Sequence, residues 1–353
     1  MANFFSRVMA TVRPRPGNEA VVGDPDHGAN EAVTTPWPIG ELAVDADSGA
    51  VVATHYGARA VSLLDAGAAA VTGAVAVPGA PFAVAVAGDR AYVSTTSDNH
   101  DAVTVIDSTV GAVIAEYPLA FDIVALAVSS DGKKVFAGRA GYDHVDVAVI
   151  DITAERAGTI DVATGPGINL DALRVDATGK RLYVGASDAD GSRLVVVDVE
   201  TARVAATIRI GAPIRDVALG ADTTAYVLTS HRTRGGAVEI VDLSTHRVVG
   251  SLAVGRAPVQ LALSPDGTRA YVVDFDHVAV LCTITNEVLD TIRVGARPSC
   301  IALSVDGSRL YIADYAGTVS AFSVAAAQSL PYSQFLPADR TPVRVREFEP
   351  VAV

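Results

Sequence analysis

Residues 255–281 read GRAPVQLALSPDGTRAYVVDFDHVAVL, and from Gly295 the chain repeats the same pattern as GARPSCIALSVDGSRLYIADYAGTVSAF. Each copy holds a Gly-x-x-Pro corner, an apolar alternation, an Asp-Gly turn, a Tyr-Val strand, a loop and another alternating strand. Fixed-period self-similarity of this kind restricts a chain to stacked repeats, because no single copy can bury its own apolar face.

Weaker copies run back to the first fifty residues. Second strands begin VVATHY at Val51, AYVSTT at Ala91, VFAGRA at Val135, LYVGAS at Leu182, AYVLTS at Ala225, AYVVDF at Ala270 and LYIADY at Leu310. Third strands end at Asp65, Asp107, Asp151, Asp198 and Asp242, with Cys282 and Ser323 taking that place in the last two units. Successive spacings of 42, 44, 47, 44, 40 and 41 residues match a four-stranded propeller blade. Period-two alternation argues for strands. Asp-Gly at Asp131, Asp266 and Asp306 marks the hairpin between first and second strands. Gly211, Gly255 and Gly295, with Pro213, Pro258 and Pro298, mark the corner that returns the chain to the axis.

The fold expected is therefore all-β, a seven-bladed β-propeller of four-stranded antiparallel blades. The last unit lacks an outer strand after Val324, and residues 32–35 (AVTT) lie in register with residues 291–294, so an N-terminal strand is expected to close the last blade. Residues 343–346 (VRVR) are an alternative donor. Residues 1–30, broken by Pro14, Pro16, Gly17, Gly23 and Pro25, read as an N-terminal arm, residues 31–324 as the propeller, and residues 325–353 as a C-terminal tail. Trp37 reads as a packing anchor at the closure.

SPDGTRAYVVD from Ser264 and SVDGSRLYIAD from Ser304 resemble the repeat of the YVTN-family β-propellers, across about residues 37–324. The resemblance implies a ring used as a binding platform, surface protein or enzyme scaffold. The first two units depart from it by lacking the Pro-Asp-Gly turn.

Composition narrows the function classes. With 40 acidic against 27 basic residues the net charge is −13, which disfavours nucleic acid as a partner. No stretch approaches a membrane span. The N-terminal sequence, interrupted by Arg7, Arg13 and Arg15, has no signal-peptide core, so a cytoplasmic location is expected. The cysteines, Cys282 and Cys300, make no disulfide framework.

Candidate chemistry gathers at one end of the ring. Loops between second and third strands carry His55, His100, His144, His231 and His277, five of seven histidines, together with Asp274, Asp314 and Tyr315. Corner residues Arg215, Arg256 and Arg297 belong to neighbouring blades and suit an anionic ligand. A second row, just before the apolar triplet of each first strand, reads Glu41, Ala83, Ala125, Ala172, Asp216, Gln260 and Cys300 and should face the axial channel. Its polar members fall in adjacent blades, so two rows point to one sector of the channel mouth. Glu41, Asp216, His55, His231 and His277 are the candidates for catalysis or for a divalent metal ion. Polar loops and a water-lined channel would give the same pattern without a site. The expected function is binding of a small molecule or protein segment at this His/Asp-rich mouth. The alternative is an enzyme there, metal-dependent (lactonase-like hydrolysis or oxidoreduction) or acid–base.

Overall fold

The computed structural model describes residues 31–324 apart from 46, 47, 68, 69, 99, 121, 221, 222, 295 and 296. Gly295, the arm, the tail and residues 343–346 lie outside the described residues. Seven four-stranded antiparallel sheets stand around an axis, their innermost strands Ile39–Val44, Ala80–Ala87, Ile123–Val128, Asn169–Val175, Ile214–Leu219, Gln260–Leu263 and Pro298–Leu303. These strands define blades 1 to 7.

Hairpin chemistry sets the strand ends. In blade 6, Asp266 Oδ1 accepts from Ser264 Oγ at 2.6 Å and Thr268 N–H at 3.0 Å, while Gly267 takes φ +68°. Between third and fourth strands, Asp242 accepts from Ser244 N–H, Ser244 Oγ and Thr245 N–H. Those bonds hold its carboxyl down at about 2. His246 follows at φ +56°, where Glu155, Ala202 and Asn286 stand in other blades, so this histidine serves a turn.

The core lies between blades. Phe136 and Val147 of blade 3 pack on Leu173 and Val184 of blade 4, and every adjacent pair of blades has such a cluster. The cluster closing the ring joins Ile39, Leu42 and Val51 of blade 1 to Tyr311 and Val319 of blade 7.

Closure follows the sequence expectation. Glu31–Thr34 pairs antiparallel with Thr318–Ser323, in the register Glu31 to Ala321 through Thr34 to Thr318. Thr35 N–H and Oγ1 both donate to Gly317 O, at 2.8 and 2.9 Å. Gly317 has φ +93°, and a Cβ there would lie 2.6 Å from Trp37 O. Gly317→Ala is therefore expected to destabilise the protein by about 1–3 kcal/mol, read as a lower urea midpoint at unchanged slope. No loss of stability would mean this turn tolerates a side chain.

Candidate functional site

Each innermost strand turns one unpaired edge to the channel, where its N–H groups need acceptors. The row that begins with Glu41 supplies them. Glu41 Oε2 accepts from Val84 N–H of blade 2 at 2.8 Å, and Asp216 Oδ2 accepts from Leu261 N–H of blade 6 at 3.0 Å. Gln260 Oε1 accepts from Ile301 N–H of blade 7 at 2.7 Å. Cys300, fully buried, meets Leu42 N–H of blade 1 in the same register, and burial pushes its thiol up. The row thus reaches sideways as well as inward, and it ties blades 5, 6, 7, 1 and 2 in series. Ala83, Ala125 and Ala172 hold the same position in blades 2, 3 and 4, where no side-chain acceptor is present.

Two residues further along each strand is a second row: Ala43, Ala85, Ala127, Arg174, Ala218, Ala262 and Ala302. Six alanines let the strands crowd the axis; the exception puts a guanidinium into it. Arg174 Nη2 donates to Asp216 Oδ1, and Nη1 donates to Leu173 O at 2.9 Å. Asp216, only 4% exposed, also accepts from Val217 N–H at 2.7 Å. Burial pushes the Asp216 carboxyl up, and Arg174 and the two N–H groups pull it back.

Beside these groups is a cavity of about 350 Å³, lined by Glu41, Arg174, Gln260, Val84, Leu126 and Leu263 among others. It runs from the level of Glu41 toward Leu263, the last residue before a first-to-second hairpin, hence toward the end of the channel away from the histidine loops. On the histidine side of Glu41, Tyr56 packs against Gly40 and stands edge-on to Phe82, with ring centroids 6.1 Å apart. Burial raises the Tyr56 hydroxyl.

Glu41 is the titrating member. Burial pushes its carboxyl up to about 7, against the Val84 N–H and Arg174, which favour the charged form. A carboxyl raised in the folded state holds its proton longer than in the unfolded chain, so its contribution to stability declines as pH rises from about 4.5 to about 7. Glu41→Gln should remove that decline, with an effect on the order of 1 kcal/mol once screening by the cavity is allowed for. Melting curves from pH 5 to 8 test this: a difference between variant and wild type that does not change with pH refutes it.

The histidines stay in their own blades. His55 is buried, with Nε2 2.7 Å from Ser62 Oγ, its ring 5.7 Å from that of Trp37, and its pKa lowered by burial. His100 meets Glu116 at 3.0 Å, His144 meets Asp143 at 3.1 Å, His231 bonds Thr233, and His277 meets Asp276 at 2.8 Å. Asp274 accepts from the Arg256 and Ala257 N–H groups at the corner, and Asp314 from the Ala316 and Thr318 N–H groups. Arg297 lies over the Phe275 ring at 4.9 Å, and Tyr315 is half-exposed. Among the described residues no three His, Cys, Asp or Glu side chains converge to hold a metal ion. Glu41 and Asp216 stand close enough across the channel to act on each other electrostatically, but Asp216 already serves three donors, and none of the five candidate histidines lines the cavity.

Two residues escaped the sequence reading. Arg174 was findable as the one departure from the alanine row. Asp171, one position before Ala172, is pushed up to about 6 by burial, with Ser187 and Arg215 acting against that rise. No periodic signal singles it out.

The chain is 55% identical over 299 residues to a seven-bladed β-propeller protein of Mycolicibacterium smegmatis, covering 85% of this chain and 81% of that one. It is 36% identical over 285 residues to a seven-bladed β-propeller protein of Mycobacterium tuberculosis, covering 70% and 72%. No protein-family model matches. Among solved structures, Kuenenia stuttgartiensis hydrazine synthase superposes with a TM-score of 0.73 over 83% of this chain and 98% of that one. At 20% identity that likeness shows the fold alone.

Proposed function

Because the chain belongs to the family of seven-bladed β-propeller proteins, we propose that it is a binding propeller holding a small polar molecule in its axial channel, against Glu41, Arg174 and Gln260. The observation that carries this reading is a cavity of about 350 Å³ lined by a cation from blade 4, a carboxyl from blade 1 and an amide from blade 6. That volume falls in the range of small-molecule sites, and a few polar groups set in apolar walls are what fix a ligand's orientation. The repeats SPDGTRAYVVD and SVDGSRLYIAD support placing the blades with the YVTN type.

Thermal-shift screening of a polar metabolite collection tests the site. A bound ligand at one hundred times its Kd stabilises by about 2.7 kcal/mol. The shifts are expected to vanish in Arg174→Gln and to persist in a His231→Ala, His277→Ala double variant. The reverse result would move the site to the histidine mouth and end the channel reading.

A second reading rests on Glu41. A carboxyl raised to about 7 in a cavity beside Arg174 is placed for general acid–base work near neutral pH. Hydrolysis of a lactone probe that disappears in Glu41→Gln would favour that reading over binding alone.

A further inference from the structure

We infer that the channel ligand is a small organic acid whose carboxylate lies between the Arg174 guanidinium and the Gln260 side-chain amide. The inference rests on the channel-binding reading and deepens it to a ligand class.

A guanidinium has five N–H donors. Arg174 uses its Nη2 on Asp216 and its Nη1 on Leu173 O, and its Nε makes no hydrogen bond among the described residues. Gln260 is fixed by its oxygen: Oε1 accepts from Ile301 N–H, so the planar amide turns both Nε2 hydrogens away from that strand. Nε2 makes no hydrogen bond among the described residues. Donors from blades 4 and 6 therefore border one cavity with capacity unspent.

The acceptors nearby are mostly occupied. Asp216 serves Arg174, Val217 and Leu261. Glu41 gives Oε2 to Val84, which leaves Oε1 to face the cavity. A carboxyl raised to about 7 carries a proton part of the time near neutral pH, and then it is another donor. A wall rich in donors recognises an acceptor-rich ligand, and a planar carboxylate matches a guanidinium edge and an amide better than a point charge does. The apolar remainder, with Val84, Leu126 and Leu263, suits the carbon skeleton of such an acid.

Calorimetric titration of the full chain with succinate, 3-hydroxybutyrate and benzoate, each paired with its neutral amide, and with butylamine, tests the inference. At least one acid should bind 10-fold or more tightly than its amide. Gln260→Glu keeps an oxygen for Ile301 N–H but replaces the donors with a carboxylate, and it should weaken that acid at least 10-fold; Arg174→Gln should do the same. Acids that bind no better than amides or butylamine, while those probes respond to the two variants, would overturn the ligand class and leave the channel reading standing. Binding that ignores both variants, in proteins whose circular dichroism matches wild type, would overturn both.

Discussion

Asp216→Ala should lower the unfolding free energy by about 3–5 kcal/mol, the largest loss expected from any channel substitution. Asp216 is buried and accepts three hydrogen bonds: from Arg174, from Val217 N–H and from Leu261 N–H across the blade 5–6 seam. Alanine removes all three together. It leaves a guanidinium without its counter-charge and two strand N–H groups without an acceptor, each of the latter costing about 1–3 kcal/mol when water cannot reach it. Asp216→Asn keeps an oxygen for one N–H and loses the charge, so it should fall between alanine and wild type. Urea unfolding with a common slope tests both variants. A loss below about 1 kcal/mol for alanine would mean channel water replaces the carboxylate, and the seam would then owe little to it.

The second large effect concerns the closure. Removing residues 1–35 takes away the strand Glu31–Thr34 and both Thr35 bonds to Gly317, leaving Thr318–Ser323 as a bare sheet edge. Amide exchange across Thr318–Ser323 should accelerate by roughly 100-fold or more, the equivalent of about 2.8 kcal/mol in local opening. The exposed edge should also promote self-association. A synthetic peptide spanning residues 31–37 added in trans should restore part of the protection. Unchanged exchange would show that blade 7 stands on three strands.

The ring was legible in the sequence because its signals are local. Asp266 and Gly267 name a hairpin by their own chemistry, Tyr271 and Val273 name a strand by alternation, and the spacing of such units counts blades. Even the closure was legible, since residues 32–35 fill the one vacancy in the repeat. The site was legible only in part. Comparing equivalent positions brought out Glu41, Asp216, Gln260 and Cys300 as a set, and the structure unites them in one chain of bonds. Their direction was not legible, because a side chain on an innermost strand can point at the hole or at its neighbour's edge. Arg174 lay two residues beyond the row under comparison. His55 followed from a rule that puts histidines in loops at the surface, yet it ends a strand and packs against Ser62 and Trp37. His144, His231 and His277 likewise stand at strand ends and His100 in a loop, and each finds a partner in its own blade.

The uneven placement of those inter-blade bonds bears on how the molecule breathes. Along the innermost strands, side-chain groups pin each blade to the next from blade 4 through 7 and 1 to blade 2; at the seams of blades 2 with 3 and 3 with 4, Ala83 and Ala125 make no such tie, and the polar bonds there come from other positions: Tyr92 OH to Gly132 O, Ile123 N–H to Asp101, and Ser130 Oγ to Ala177 O. An edge without directional bonds shifts more readily than one pinned by them. At the channel edge the ring is thus a pinned arc joined to a less constrained one, and any change in the bore would concentrate at the seams of blades 2 with 3 and 3 with 4.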